Sequence, residues 1–232
     1  MKKHIPNAIT CLNLLSGCVG IVLAFKGELI YAGYAILIAA LLDFFDGLVA
    51  RALHAYSEIG KDLDSLADVV SFGVLPSVIV YHLFLQAPQL GDLSLYLNFS
   101  AFFIAIFSAL RLAKFNTDVR QSENFIGLPT PANAMLIASL PQITEVSSTF
   151  LSAYILNPFF LFLFSLGSGF MLVMEVPLIS LKFKSLDIKE NLLRYILLFS
   201  GLIFILIFKF AAIPLIIFIY IILSIIQFRI IR

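Results

Sequence analysis

At 232 residues, 61% hydrophobic, 12% charged and with a mean hydropathy of +1.05, the chain cannot be a soluble globular domain, because its polar surface could not cover so much apolar side chain. A net charge of +1 with no basic patch offers nothing to a nucleic acid, which leaves membrane lipids as the main surroundings. The chain reads as an all-α polytopic bundle, a single membrane domain over residues 1–232.

A spanning helix needs about 20 largely apolar residues. On that ruler eight segments appear, near 6–25, 29–50, 63–86, 94–114, 129–146, 153–176, 193–209 and 211–229. Met1-Lys2-Lys3-His4 ahead of the first looks superficially like a leader, but no small-x-small site ends the run. Pro6, Asn7, Thr10 and Asn13 are also too polar for a leader core, so a retained first helix is expected. Cys11 and Cys18 lie seven apart in that helix and read as small apolar residues rather than metal ligands or a disulfide.

The second and third segments carry the chemistry, in LLDFFDGLVARALHAYSEIGKDLDSLADVVSFG. Asp43 and Asp46 are three apart at the end of the second helix; Asp64 and Asp68 are four apart at the start of the third. Each pair shares a helix face, and a turn containing Gly60 lets the pairs converge. Ionisable groups at the edge of membrane helices are costly and usually functional. Four carboxylates aimed at one volume repel one another unless a cation compensates. Hard oxygen ligands suit Mg²⁺ or Mn²⁺, and two such ions about 3.5–4 Å apart form a clamp for in-line displacement at phosphorus. Helix capping could account for Asp62 or Asp64, but not for two pairs on facing helix ends. Gly47 and Ala50 leave room for a ligand or a neighbouring helix. Arg51 reads either as a fixed cation for a phosphate or as a snorkelling interfacial arginine.

Further along, the fourth segment ends in Arg111 and Lys114, and the fifth is interrupted by Pro129, Pro131 and Pro141. Glu175, followed by Pro177, marks where the sixth leaves the membrane. The last two are nearly unbroken and joined around Lys209 to Pro214, as a helical hairpin would be. With the N-terminus in the cytoplasm, thirteen cations fall inside: Lys2, Lys3, Arg51, Lys61, Arg111, Lys114, Arg120, Lys182, Lys184, Lys189, Arg194, Arg229 and Arg232. Only Lys26 and Lys209 fall outside, so both termini and the aspartates are expected at the cytoplasmic face of the inner membrane.

Asp43-x-x-Asp46-Gly47-x-x-Ala50-Arg51, eight residues, Gly60, three residues, Asp64, three residues and Asp68 resembles the complete signature of the CDP-alcohol phosphatidyltransferase family. PNAITCLNLLSG, DSLADVVSFGVLPS, and LRLAKFN followed by FIGLPTPANA resemble its phosphatidylserine synthase branch. The resemblance implies a catalytic six-helix core over 1–176, with 193–229 as an appended hairpin. It implies attack of the L-serine hydroxyl on the β-phosphate of CDP-diacylglycerol, giving phosphatidylserine and CMP. Asp43, Asp46, Asp64 and Asp68 would hold the divalent pair, with Asp68 also as general base and Arg51 as a second catalytic residue. Asn7, Thr10, Asp46, Gly47, Ala50, Arg51 and Gly60 would form the CDP-diacylglycerol pocket, and a homodimer is implied.

A serine carboxylate asks for a cation near the metals, and Arg111 and Lys114, with Asn116 and Thr130 as polar support, are the candidates. Both cations read equally as positive-inside anchors. The scattered His4, His54 and His82 form no Ser/His/Asp set, so direct transfer without a covalent enzyme intermediate is expected. Two alternatives remain: another acceptor such as glycerol-3-phosphate or an inositol phosphate, and a cation transporter. The first would favour a denser cationic patch; the second predicts mid-membrane carboxylates and internal repeats, and no repeat is evident.

Overall fold

The computed structural model describes residues 4–55, 57–117, 125–146, 149–179 and 187–229. Of the cations used for orientation, Lys2, Lys3, Arg120, Lys182, Lys184 and Arg232 lie outside the described residues.

Helix α1 (His4–Phe25) and α2 (Leu29–Ala52) form an antiparallel hairpin turned at Gly27, whose φ of 83° suits a residue without a Cβ. On α1 the buried positions are Pro6, Thr10, Asn13, Gly17, Gly20 and Ala24, a stripe of small and polar residues at helical spacing. The large residues Leu12, Leu15, Val19 and Val22 point outward. This inverts the soluble pattern for a physical reason. Lipid is as apolar as leucine, so helices associate through close packing of small residues rather than by hiding large ones. A Cβ on Gly17 would lie 2.5 Å from Ser71 Oγ, and one on Gly20 2.9 Å from the Cβ of Ala35.

The third span is continuous but not uniform. It comprises α3 (Glu58–Asp68), a π-helical turn (Val69–Val74) and α4 (Leu75–Gln86). Ser57 caps it by accepting the Gly60 N–H at 3.0 Å. The span begins five residues earlier than its hydropathy indicates, because Lys61, Asp62 and Asp64 make its first turns polar. Helix α4 lies at the centre of the bundle, with Leu75, Ile79, Leu83 and Phe84 essentially inaccessible.

The fourth span runs from α5 (Asp92–Phe99) through a short 3₁₀ turn (Ser100–Phe102) into α6 (Phe103–Thr117). Helix α7 (Thr130–Val146) continues through Pro141, while the other two prolines sit at its start. The expected sixth segment is instead two helices, α8 (Thr149–Ile155) and α9 (Pro158–Val173). Asn157 accepts the N–H groups of Phe159 and Phe160 at 2.9 and 3.2 Å, and Pro158 occupies the first helical position, so a new helix starts there.

A two-residue antiparallel ladder, β1 (Phe125–Ile126) with β2 (Pro177–Leu178), ties the α6–α7 connection to the exit of α9. Helices α10 (Ile188–Phe208) and α11 (Ala212–Arg229) pack on each other, and α11 touches α7 and β2. Five stretches are long and apolar enough to cross a bilayer: His4–Phe25, Leu29–Ala52, Glu58–Gln86, Asp92–Thr117 and Asn191–Phe228. The last contains both α10 and α11, and Pro158–Val173 is a shorter apolar helix. The protein is an all-α polytopic membrane protein.

Candidate active site

The start of α1, the end of α2, the start of α3 and the end of α6 meet at one end of the bundle. The contacts among Thr10, Asp46, Lys61 and Asn116 record this. Asp43, Asp64 and Asp68 each present a carboxylate oxygen there, and the three atoms lie within 4.8 Å of one another. Asp43 comes from α2 and the other two from successive turns of α3, so two helices aim their acids into one volume. Asp46, one turn beyond Asp43, is buried and accepts a 2.7 Å hydrogen bond from Thr10 Oγ1. A hydrogen bond to a charged acceptor contributes about 1.5–3 kcal/mol, enough to fix the side chain of Asp46 against α1.

Oxygen donors from three carboxylates at this separation match the ligand chemistry of Mg²⁺ or Mn²⁺. Asp64 Oδ1 is buried with no hydrogen-bond partner among the described residues, and a buried carboxylate oxygen left so is normally a ligand to something. The residues therefore fit a divalent cation.

Beside the cluster lies an open cleft of about 260 Å³, lined by Pro6, Asn7, Thr10, Asp46, Gly47, Ala50, Arg51, Ala55, Ser57, Gly60, Lys61 and Asp64. All seven residues assigned from sequence to the CDP-diacylglycerol pocket are on its wall. A Cβ at Gly47 would meet nothing within 4 Å, so this glycine opens the cleft rather than admitting a helix. At Gly60 a Cβ would come within 2.9 Å of Ser57 Oγ and 3.1 Å of Asn7 Oδ1, two side-chain ends that crowd this wall of the cleft. Asp64 belongs to both cleft and cluster, which makes the two one continuous site.

Of the four residues considered for an acceptor carboxylate, Arg111 and Thr130 meet, while Asn116 and Lys114 lie apart from them at the end of α6. Arg111 is buried, with Nη1 3.5 Å from Thr130 Oγ1 and its guanidinium 5.6 Å from the Phe115 ring centroid. Asn116 donates to Ser65 Oγ at 2.7 Å, and its carbonyl accepts from Lys61 Nζ at 3.1 Å. Lys114 is exposed on the last turn of α6.

No site role follows from the sequence for Asn13, Ser57 or Lys61, all of which the structure places at the site. Asn13 is fully buried; its Nδ2 donates to Asp68 Oδ1 at 3.3 Å while its carbonyl accepts from Ser71 Oγ at 3.0 Å. Its signal was available, since a polar residue on the buried stripe of a membrane helix needs a partner. That partner is 55 residues away in sequence, so nothing local named it.

Residues 3–174 match the family described as CDP-alcohol phosphatidyltransferase. The chain is 33% identical over 202 residues to a CDP-diacylglycerol–serine O-phosphatidyltransferase of Helicobacter pylori, covering 86% of this chain and 81% of that protein. A Bacillus subtilis protein of the same description is 33% identical over 175 residues, covering 75% and 89%. An archaetidylserine synthase of Methanothermobacter thermautotrophicus is 34% identical over 157 residues, covering 66% and 63%. With the motif of residues 43–68 folded into one acidic cleft and a match over most of its length, the chain belongs to the CDP-alcohol phosphatidyltransferase family.

Proposed function

We propose that this protein transfers the phosphatidyl group of CDP-diacylglycerol to the hydroxyl of L-serine, yielding phosphatidylserine and CMP. The observation that carries the transfer chemistry is the junction at Asp64 of a nucleotide-sized cleft with a three-carboxylate cluster. Serine as acceptor is supported by the relatives, two of which are described as serine O-phosphatidyltransferases and align over most of both chains.

In this reading the cytidine and diphosphate occupy the cleft, with Arg51 and Lys61 facing the phosphates and Asn7 and Thr10 at its α1 wall. Asp43, Asp64 and Asp68, with Asp46 one turn away, would hold two divalent ions, Mg²⁺ or Mn²⁺. Such ions, when bound, neutralise the diphosphate and polarise the phosphorus under attack. Asp68, oriented by Asn13, accepts the serine hydroxyl proton. The serine oxygen forms its bond to the β-phosphorus as the bond to the CMP oxygen breaks, and CMP leaves with that electron pair. No covalent enzyme intermediate is involved. The site faces the cytoplasm, where the cations at this end of the bundle favour it, and the enzyme acts as a homodimer.

The test is incubation of the purified protein with CDP-diacylglycerol, Mn²⁺ or Mg²⁺, and each acceptor in turn, following CMP. Release with L-serine is expected. Release with glycerol-3-phosphate or an inositol phosphate but not with serine would overturn the acceptor, and release with none would overturn the transferase.

A further inference from the structure

At the acidic end of the bundle, three hydrogen bonds close a ring between α3 and α6. Lys61 Nζ donates to the carbonyl of Asn116 at 3.1 Å, and Asn116 Nδ2 donates to Ser65 Oγ at 2.7 Å. Ser65 Oγ donates in turn to the carbonyl of Lys61 at 3.2 Å, which a hydroxyl can do while it accepts. The Asn116 carbonyl is among the last four of α6, which no intrahelical N–H reaches. A cation there also meets the negative end of the helix dipole.

The ring ties two helices whose backbones scarcely approach each other. Deeper in the bundle, α6 packs instead on the π-helical turn, where a Cβ on Gly73 would lie 3.1 Å from that of Ser108. On α3, Ser65 follows Asp64 directly and stands one turn before Asp68. Across the gap α6 carries Arg111, buried and within electrostatic reach of Asp68. Lys61 also stands on the wall of the nucleotide cleft. An ammonium has three N–H donors and the Asn116 carbonyl takes one, which leaves donors for a phosphate. One side chain thus touches the cleft, belongs to the acid-bearing helix and grips the helix opposite Asp68.

We propose that Lys61, Ser65 and Asn116 are positioning residues that make the binding of nucleotide and acceptor interdependent. A diphosphate in the cleft fixes the Lys61 ammonium on its flexible stem, and with it the end of α6 against α3. That sets the spacing between α6 and Asp68 at which an acceptor is held. An acceptor held there keeps the ring closed and Lys61 in place for the diphosphate. Linkage makes the two effects equal in size. The inference rests on the reading of CDP-diacylglycerol and serine as substrates, and it deepens that reading by naming what connects their sites.

Wild-type CMP release from CDP-diacylglycerol and L-serine is measured first, and its absence would remove the acceptor reading and the coupling with it. Given release, calorimetry measures the Kd of CDP with Mg²⁺, with and without saturating L-serine. The proteins are wild type, Ser65→Ala, Asn116→Ala, Lys61→Gln and the Lys61→Gln/Asn116→Ala pair. Serine should tighten CDP roughly fivefold or more in wild type. In Ser65→Ala and Asn116→Ala that factor should fall below about twofold, while CDP affinity without serine stays within about twofold of wild type. Lys61→Gln should lose the factor and also weaken CDP outright, because a phosphate contact goes with it. Adding Asn116→Ala to it should change the factor no further, since both act through one ring. CMP release with serine but no effect of serine on wild-type CDP binding would overturn the inference and leave the reaction standing. So would the full factor persisting in both Ser65→Ala and Asn116→Ala. A lower Tm with CDP weakened equally in the presence and absence of serine would overturn it too, since that marks a tie that only holds the fold.

Discussion

Asp68 is buried, as Asp46 is, but it differs from the other three aspartates in being held by Asn13 and followed at once by a π-helical turn. A π-turn adds a residue to one helical turn and re-aims what flanks it, which is why such turns gather at working sites. Asp68→Asn preserves shape and the contact with α1 but cannot accept a proton. Turnover should fall by about 10²–10⁴, while binding of a CDP ligand measured by calorimetry stays near wild type. Retained turnover would remove Asp68 as base. Gly47 allows a complementary test of the cleft. Leucine there gains about 0.8 kcal/mol of helix propensity and meets no protein atom near its Cβ, so Tm should not drop. Its side chain fills space the nucleotide needs, and the CDP-diacylglycerol KM should rise more than tenfold with the serine KM little changed. These residues were legible in the sequence because each pair sits at one helical turn and the motif is compact. Asn13 was not, because its meaning depends on a contact between α1 and α3 that no local spacing records.

Between elements, the connection from α6 to α7 determines whether Arg111 and Thr130 meet. Phe125 and Ile126 pair with Leu178 and Pro177, Gly127 N–H donates to Val176 O at 3.0 Å, and Leu128 N–H donates to Met171 O at 2.9 Å. Gly127 has φ 75°, and a Cβ on it would collide with the carbonyl oxygen of Leu172. Gly127→Ala therefore meets both a left-handed backbone penalty of about 1–2 kcal/mol and a backbone clash that cannot rotate away. It should lower Tm by several degrees and weaken serine use more than CDP-diacylglycerol use, as separate KM measurements would show; an unchanged Tm would mean that the loop is not clamped. Hydropathy located the helices on either side of this loop but carried no sign of the two-residue ladder, which rests on backbone bonds between segments about 50 residues apart. The break between α8 and α9 was written in Asn157-Pro158, yet a 20-residue apolar window averages such a signal away.

At the scale of the molecule, the two ends of the bundle differ in chemistry. One end holds the acidic cluster and cleft together with Arg51, Lys61 and Asn116. The other gathers the α1–α2 turn, the end of α4 and the end of α7 around a cleft of about 450 Å³ lined by Glu28, Gln86 and Glu145. The α10–α11 turn lies at that second end too, because the Phe210 ring stands 5.7 Å from that of Tyr34, near the start of α2. Lys26 and Lys209, the two cations assigned outside by charge counting, thus share one end, and the described cations around the acidic site share the other. Helix α11 also grips the chain after β2, where Ser224 Oγ accepts from Ile179 N–H at 3.1 Å and Tyr220 donates to Ile179 O at 3.0 Å. The hairpin is thereby bonded to the strand that positions the α6–α7 connection. Loop charge sets orientation at insertion, so this segregation predicts a single topology. Cys11 and Cys18 are free and exposed, so both must first be replaced by serine. In that background Lys26→Cys should react with a membrane-impermeant maleimide from outside intact cells, and Thr117→Cys only after permeabilisation. The reverse pattern would place the acidic site on the outer face, away from the cytoplasmic pool of its substrates. Labelling of both from one side would instead break the common topology on which the meeting of α1, α2, α3 and α6 depends.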